Sequence, residues 1–265
     1  MDQSTTRFVI FIFVLVIMAI AEEVSPKRER VLSKKKRWIT NFSLIAVNII
    51  VLRLLGPVSA LAAAEYALDK NWGLLALSPI PLHFFFEIIL AVMLLDLAIY
   101  GQHVASHKFP ILWRFHKVHH ADRDIDVTTG LRFHPIEIGL SMVYKCLVIL
   151  LIGPIVMAVI LFEILLNASA MFNHANFSIS KELDQSLRKL IVTPDMHRVH
   201  HSDIQQETDS NYGFFLSIWD RLFGTYIAQP SKGHTEMTIG LAEYQNEKPA
   251  TLLWSISEPF KPEKQ

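Results

Sequence analysis

Histidine is the residue type whose spacing in this chain points most directly to chemistry. Residues 113–120 read W-R-F-H-K-V-H-H, with imidazoles at His116, His119 and His120. Residues 194–201 read P-D-M-H-R-V-H-H, with imidazoles at His197, His200 and His201. On a helix, positions 0, +3 and +4 fall within about a third of the circumference, so each H-x-x-H-H box aims three imidazoles toward one spot. Just upstream, His103 and His107 form an i, i+4 pair on one helix face. Together these boxes hold eight of the chain's twelve histidines. One box alone would fit a polar helix face; three with the same spacing logic do not, because histidine gains little by clustering on a surface. Neutral imidazole is the commonest side-chain metal ligand, so the boxes indicate a metal site.

The rest of the composition narrows the metal and its setting. Lys+Arg and Asp+Glu are each 25, which suggests neither a nucleic-acid partner nor an acidic substrate. The single cysteine, Cys146, excludes an internal disulfide, a Cys-ligated iron–sulfur cluster and a zinc–thiolate site. The ligands are therefore nitrogen, with oxygen as the alternative. A hydrophobic share of 51% and a mean hydropathy of +0.32 place these boxes in a membrane protein of 265 residues.

The elements that must position the boxes are apolar spans. Residues 1–21 carry the first, with its apolar run at 8–21. A basic loop follows at 22–41, crowded with Lys27, Arg28, Arg30, Lys34, Lys35, Lys36 and Arg37. Short loops of this kind stay cytoplasmic, which puts the N-terminus outside and leaves the first span uncleaved. A second span is expected at 42–64, kinked at Gly56–Pro57, and a polar-aromatic connection at 65–79. A third span at 80–100 then returns the chain to the cytoplasmic face and delivers His103 and His107. Asp96 lies on the same stripe as Tyr100, His103 and His107. There it could orient a histidine of the first box from behind, or bond to a neighbouring helix.

Residues 138–172 are apolar but broken at Gly153–Pro154, which predicts two short helices in a hairpin that dips in and returns. The return places His174 at the same face as the boxes, as a ninth ligand. Thr193–Pro194–Asp195 reads as a helix start, with an N-cap, proline at N1 and an acid in the first turn. His83 lies near the opposite membrane face and His234 lies in a soluble C-terminal tail at 227–265; neither is expected to be a ligand. His134, alone before a proline, is expected to be structural more readily than a ligand. Two buried ion pairs follow from depth along the spans: Arg53 with Glu87, and Lys145 with Glu163 across the hairpin.

These boxes, in this order and between and after spans, resemble the sterol desaturase and fatty acid hydroxylase superfamily. So do Asp96-x-x-x-Tyr100-x-x-His103, Leu112–Trp113–Arg114–Phe115–His116 and Arg132-x-His134–Pro135-x-Glu137. Thr193–Pro194–Asp195–Met196–His197–Arg198, Asn211–Tyr212–Gly213 and the loop leading into Trp38–Ile39–Thr40–Asn41 extend the resemblance. It covers roughly 22–226, with a catalytic domain at 42–226. The resemblance implies an all-α, multi-pass membrane bundle with a cytoplasmic histidine-rich helical cap. It implies a dimetal oxygenase, usually di-iron, that hydroxylates or desaturates a lipid with O2. Carried over by position, the ligands are His103, His107, His116, His119, His120, His174, His197, His200 and His201. Asp96, His134, Glu137, Asp195 and Asn211 are expected to stand behind them. Some members carry one more histidine shortly after the position of His174; here Ile179 and its neighbours supply none.

An unactivated C–H bond needs a stronger oxidant than any side chain, so a redox metal must carry such a reaction. No flavin, nucleotide or haem-attachment motif is visible, so electrons would come from a separate cytochrome- or ferredoxin-type donor. Clustered imidazoles suit iron and zinc alike, which leaves a non-redox zinc protein, hydrolytic or structural, as an alternative. A haem-binding membrane electron carrier is a further alternative, though it would need histidines inside spans rather than in triplets at their ends. Sterol, fatty acyl chain, ceramide, ether lipid and carotenoid all remain open as substrates.

Overall fold

The computed structural model describes residues 3–56, 58–79 and 82–262, and among these there is no strand, only helices, turns and isolated bridges. Seven helices come first: α1 (Gln3–Val24), α2 (Lys34–Leu54), α3 (Ala60–Asp69), α4 (Phe84–Lys108), α5 (Pro110–His120), α6 (Pro135–Ile152) and α7 (Val156–His174). Two short ones follow, α8 (Lys181–Leu187) and α9 (Pro194–His200), before a mostly irregular C-terminal segment. Five of these helices, α1, α2, α4, α6 and α7, are long and apolar enough to cross a membrane. The chain is an all-helical integral membrane protein with nine of its twelve histidines gathered at one end of the bundle.

The core lies where α3, α4, α6 and α7 meet, around Leu95, Ile149 and Phe162. Alanines at 60, 64 and 67 give α3 a small-residue face that is fully buried, which lets it lie close against α6 and α7. By contrast α1 presents Phe8, Phe13 and Val16 outward, as expected of a helix facing lipid.

The expected second span at 42–64 is corrected. Helix α2 begins at Lys34 and ends at Leu54, and Gly56 turns the chain at φ +64°. Helix α3 is thus a separate element, and it takes up part of the connection expected at 65–79. Pro57, and Ile80 at the start of the expected third span, lie outside the described residues. Helix α4 continues to Lys108, so the first box sits on the span itself.

The hairpin forms with its break at Gly153, whose φ of +65° few side chains would tolerate. Its arms of 18 and 19 residues measure about 27 Å or slightly more at helical rise, so they are full spans rather than short re-entrant helices. The last carbonyls of α6, on Leu151 and Ile152, would lack partners within the helix. Leu74 N–H and Leu75 N–H donate to them at 2.9 and 2.8 Å.

Lys145 and Glu163 pair at 3.0 Å, as the hairpin register requires. Arg7 of α1 joins the same carboxylate. The expected Arg53–Glu87 pair does not form among the described residues: α2 packs on α6 rather than α4, and Arg53 is exposed. We expect Glu163→Gln to destabilise the fold by about 3–5 kcal/mol, because two cations lose their acid in a low-dielectric site. Lys145→Met added to it should cost far less than the sum of the singles. Thermal unfolding of the solubilised chain checks this, and strict additivity would show that the pair is not coupled.

The basic loop is bound into the protein rather than left to face lipid. Lys27 pairs with Asp195 at 2.9 Å, and Arg28 donates to the carbonyls of Thr235 and Met237 at 2.8 and 2.6 Å. Arg37 is fully buried and forks onto Asp122 with two bonds of 2.7 Å; a further bond reaches Asp126.

Candidate metal centre

The nine imidazoles converge: eight of the residues are at most 4% exposed, and the His107 side chain is 1% exposed. They divide into two groups whose candidate ligand atoms lie within 4.8 Å of one another: His103, His107, His116, His120 and His200 in one, His119, His174, His197 and His201 in the other. The groups are adjacent, with the rings of His120 and His201 stacked at 4.6 Å. Each H-x-x-H-H box was expected to aim at a single spot; instead each serves both groups. In both boxes the 0 and +4 histidines stay together and the +3 histidine goes to the other group. The helical angle explains this, since +4 lies about 40° to one side of position 0 and +3 about 60° to the other.

Each box is set by its helix. Pro110 starts α5 and Pro194 starts α9, both at the position where the missing N–H costs nothing. Thr193 caps α9 by accepting from Met196 N–H at 3.2 Å, as the sequence predicts. His174 ends α7, where Gly130 packs so closely that a Cβ there would lie 2.5 Å from the Ala170 carbonyl oxygen. The chain beyond His174 is fixed by Glu22, whose Oε1 accepts from Asn176 N–H at 2.9 Å and Val127 N–H at 2.6 Å.

The ring orientations fix the tautomers. His103 Nδ1–H donates to the Tyr212 carbonyl at 2.7 Å, and His200 Nδ1–H to Ser210 at 2.6 Å. His174 Nδ1–H donates to Ala170 at 2.7 Å, and His119 Nδ1–H to Arg132 at 3.2 Å. With Nδ1 protonated, Nε2 of each neutral ring carries a bare lone pair. Yet His103 Nε2 and His200 Nε2 lie 3.0 Å apart, and His119 Nε2 and His174 Nε2 lie 3.1 Å apart. Two lone pairs at that distance repel unless a cation lies between them. Two nitrogens about 2.1 Å from one ion, at right angles to it, would be about 3.0 Å apart. Both groups therefore fit a metal ion. Burial and neighbouring imidazoles hold His119, His120, His197 and His201 well below the usual histidine range. Burial, with the His116 imidazole beside it, takes His200 down to about 3. These rings stay neutral, as ligands must.

Of the residues expected behind the ligands, Glu137 accepts from His116 Nδ1–H at 2.6 Å. Asn211 adopts φ +49° and is clamped by its side chain to the Met196 and Ile227 carbonyls. It stands between Ser210 and Tyr212, so it aims the two carbonyls that hold His200 and His103. The other three do not reach any of the nine histidines. Asp96 lies about two turns below His103 on α4, and holds Trp219 Nε1–H at 2.8 Å and Leu216 N–H at 3.0 Å. His134 is kept extended before Pro135, caps α6 through Ile136 N–H and contacts the Ile256 carbonyl. Asp195 points away from His197 around α9 and binds Lys27 and Arg198.

Sequence reasoning missed Asp209, 3.4 Å from His107 Nδ1, and it missed the backbone carbonyls altogether, since these leave no trace in residue type. It also passed over the Arg132 guanidinium, although Arg132 stands inside a quoted motif. That group is buried and donates to Val118, Asn41, Pro249 and Ser255. Burial takes it down to about 10, against the pull of Asp122. Pro249 and Ser255 of the C-terminal segment are thereby tied to α5 and α2. His83 and His234 lie outside both groups.

A cavity of about 370 Å³ reaches His103 and His116 from inside the bundle, with apolar walls from Phe11, Ile45, Ile49 and Leu166. Its volume lies within the range of small-molecule pockets, roughly 300–1,000 Å³.

The model of the family described as fatty acid hydroxylase matches residues 88–225, just over half of the chain. The chain is 28% identical to ornithine lipid hydroxylase OlsE of Rhizobium tropici over 154 residues, 58% of this chain and 46% of that protein. It is 32% identical to the alkylglycerol monooxygenase of Danio rerio over 177 residues, 65% of this chain and 36% of that protein. With the human alkylglycerol monooxygenase it shares 34% over 141 residues, 52% of this chain and 30% of that protein. The chain thus spans less than half the length of each of these relatives. No solved structure matches it. The matched region runs from within α4 past the third box and takes in all nine converging histidines, and on that match the chain belongs to the fatty acid hydroxylase family.

Proposed function

We propose that the chain is a membrane-embedded monooxygenase that hydroxylates a lipid with O2, using two metal ions, most fittingly iron, held by the groups of five and four histidines. The observation that carries this reading is the pair of bare Nε2 contacts, one in each group, at the end of an apolar cavity. Nine imidazoles exceed what one ion takes, so two is the smallest number that uses them. Iron bound there would supply the redox chemistry that breaks an unactivated C–H bond, which no side chain can do. The protein's own part is to place and enclose. The apolar walls hold an alkyl chain and keep water from the reacting carbon. The carbonyls and Glu137 behind the rings fix their direction. His103 and His116 line the cavity as well as the five-histidine group, so the substrate carbon is held beside that group.

The names of the relatives, a hydroxylase and a monooxygenase acting on lipids, favour oxygen insertion over desaturation. Five spans with the basic loop, all three boxes and the C-terminal segment at one end fit an N-terminus outside and a cytoplasmic metal centre. Electrons then arrive from a separate cytochrome- or ferredoxin-type protein. The test combines metal analysis of the purified full chain with ¹⁸O2 labelling of membrane lipids in cells expressing it. About two irons per chain and one ¹⁸O atom in a lipid hydroxyl are expected. Zinc at full activity, or a hydroxyl oxygen drawn from water, would overturn the proposal.

A further inference from the structure

A second cavity, of about 700 Å³, lies between α1, α2 and α7, with Arg7, Phe8, Ile49, Arg53, Ile164 and Asn167 in its lining. Helix α1 leans on α7, and α2 leans on α6, so the cavity occupies the space that α1 and α2 leave between them. Both arginines belong to the end of the bundle away from the histidines. At the histidine end, Glu22 of α1 holds Asn176 N–H and Arg37 of α2 holds Asp122. Measured along the helices from these anchors, Arg7 lies about 22 Å away and Arg53 about 24 Å away. A hydrocarbon core is about 30 Å thick, so the two guanidinium groups stand at matching depth, close to the headgroups of the leaflet remote from the histidines.

The charges there do not balance. The ionisable residues lining this cavity are Arg7, Arg53 and Glu163. Glu163 gives one carboxylate oxygen to Arg7 and the other to Lys145, so its single negative charge is already divided between two cations. Arg53 is exposed and has no ion-pair partner among the described residues. The Arg7 side chain keeps 30% of its surface exposed despite its bond to Glu163. Three cations thus face one carboxylate, and an ionisable group in a span is costly unless it is paired. Because both guanidinium groups are accessible, the missing anion can come from outside the chain.

We propose that this cavity binds an anionic phospholipid of the leaflet remote from the histidines, with its phosphodiester held between Arg7 and Arg53. A guanidinium forks onto phosphate oxygens with two parallel hydrogen bonds, and the phosphate supplies the charge that Glu163 cannot. The acyl chains lie against Phe8, Ile49 and Ile164, between α1 and α2. The cavity shares Arg7, Phe11, Ile49, Glu163 and Asn167 with the one that reaches His103 and His116. The bound lipid therefore closes that first cavity at the end away from the histidines, and it fastens α1 to α2. It is a component of the fold whatever reaction the histidines support, so the proposal does not depend on the oxygenase reading.

The test is binding of radiolabelled dioleoylphosphatidylglycerol to the delipidated full chain in non-ionic detergent, measured by gel filtration at equilibrium. Saturable binding of about one lipid per chain is expected. Dioleoylphosphatidylcholine, whose choline cation offsets its phosphate, should compete at least about tenfold less well. Dioleoylglycerol, which lacks the phosphate, and oleate, which offers a carboxylate instead, should displace no label. Arg53→Gln removes a side chain with no ion pair inside the protein, so it should melt as wild type when lipid-free. It should nevertheless bind the labelled lipid about fivefold more weakly. Lys181→Gln removes an exposed cation at the histidine end and should change nothing. Displacement by dioleoylglycerol would reduce the cavity to an apolar groove, displacement by oleate would make it a carboxylate site, and equal competition by the choline lipid would remove the role of net charge. Any of these in wild type overturns the proposal without recourse to a variant. Unchanged binding by Arg53→Gln, or an equal loss in Lys181→Gln, overturns it as well.

Discussion

His174→Ala should yield a chain that holds at most one metal ion and hydroxylates lipid below detection. His174 Nε2 lies 3.1, 3.0 and 3.2 Å from Nε2 of His119, His197 and His201, so it is common to these close Nε2 contacts of its group. Its loss leaves three imidazoles and a gap at the end of α7 that water would enter. Groups that merely support a ligand are worth about 10–100-fold in metal affinity or activity, so removal of the ligand itself should exceed a hundredfold. The group of five should still load, because none of its members contacts the bond from His174 to Ala170. His234→Ala and His83→Ala should change neither metal content nor rate. Metal analysis with turnover on the same preparations checks all three, and an active His174→Ala enzyme would remove this residue from the centre.

The second large effect is expected at Arg37. Its guanidinium satisfies Asp122 twice, Asp126 once and the Asp124 carbonyl, with Arg37 0% and Asp122 2% exposed. Arg37→Met removes the cation and leaves two buried carboxylates, a change of the kind that costs about 3–5 kcal/mol. For a chain of this size that corresponds to a melting temperature lower by roughly 10 °C. Arg37→Lys should recover only part, since an ammonium cannot fork onto a carboxylate. Burial alone would raise the Asp122 carboxyl, but the Arg37 charge and its hydrogen bonds hold it below its ordinary 3.8. A carboxyl lowered on folding stabilises the protein above its unfolded value, and this contribution is lost as pH falls from about 4 downward. Wild type should therefore shed stability in that window, and Arg37→Met should show a smaller loss there. Thermal melts from pH 3 to 7 report both, and parallel profiles would refute the assignment.

The sequence by itself determined the features that depend on short-range spacing. Gly153–Pro154 placed the hairpin break, and with it the register that pairs Lys145 and Glu163. Thr193–Pro194 placed the start of α9, and the box spacing together with His174 singled out all nine converging histidines. Turn chemistry and helical period act over a few residues, so residue order is enough to state them. What required the tertiary structure was every relation across the chain. Helix angles alone do not say which neighbour a histidine meets, so the division into five and four emerged only when α4, α5, α7 and α9 were packed together. Asp96 and Asp195 carry the right charge in the right motifs, yet α4 and α9 turn them toward Trp219 and Lys27. Arg53 and Glu87 matched in depth along their helices, but α6 packs on α2 and their partnership does not form.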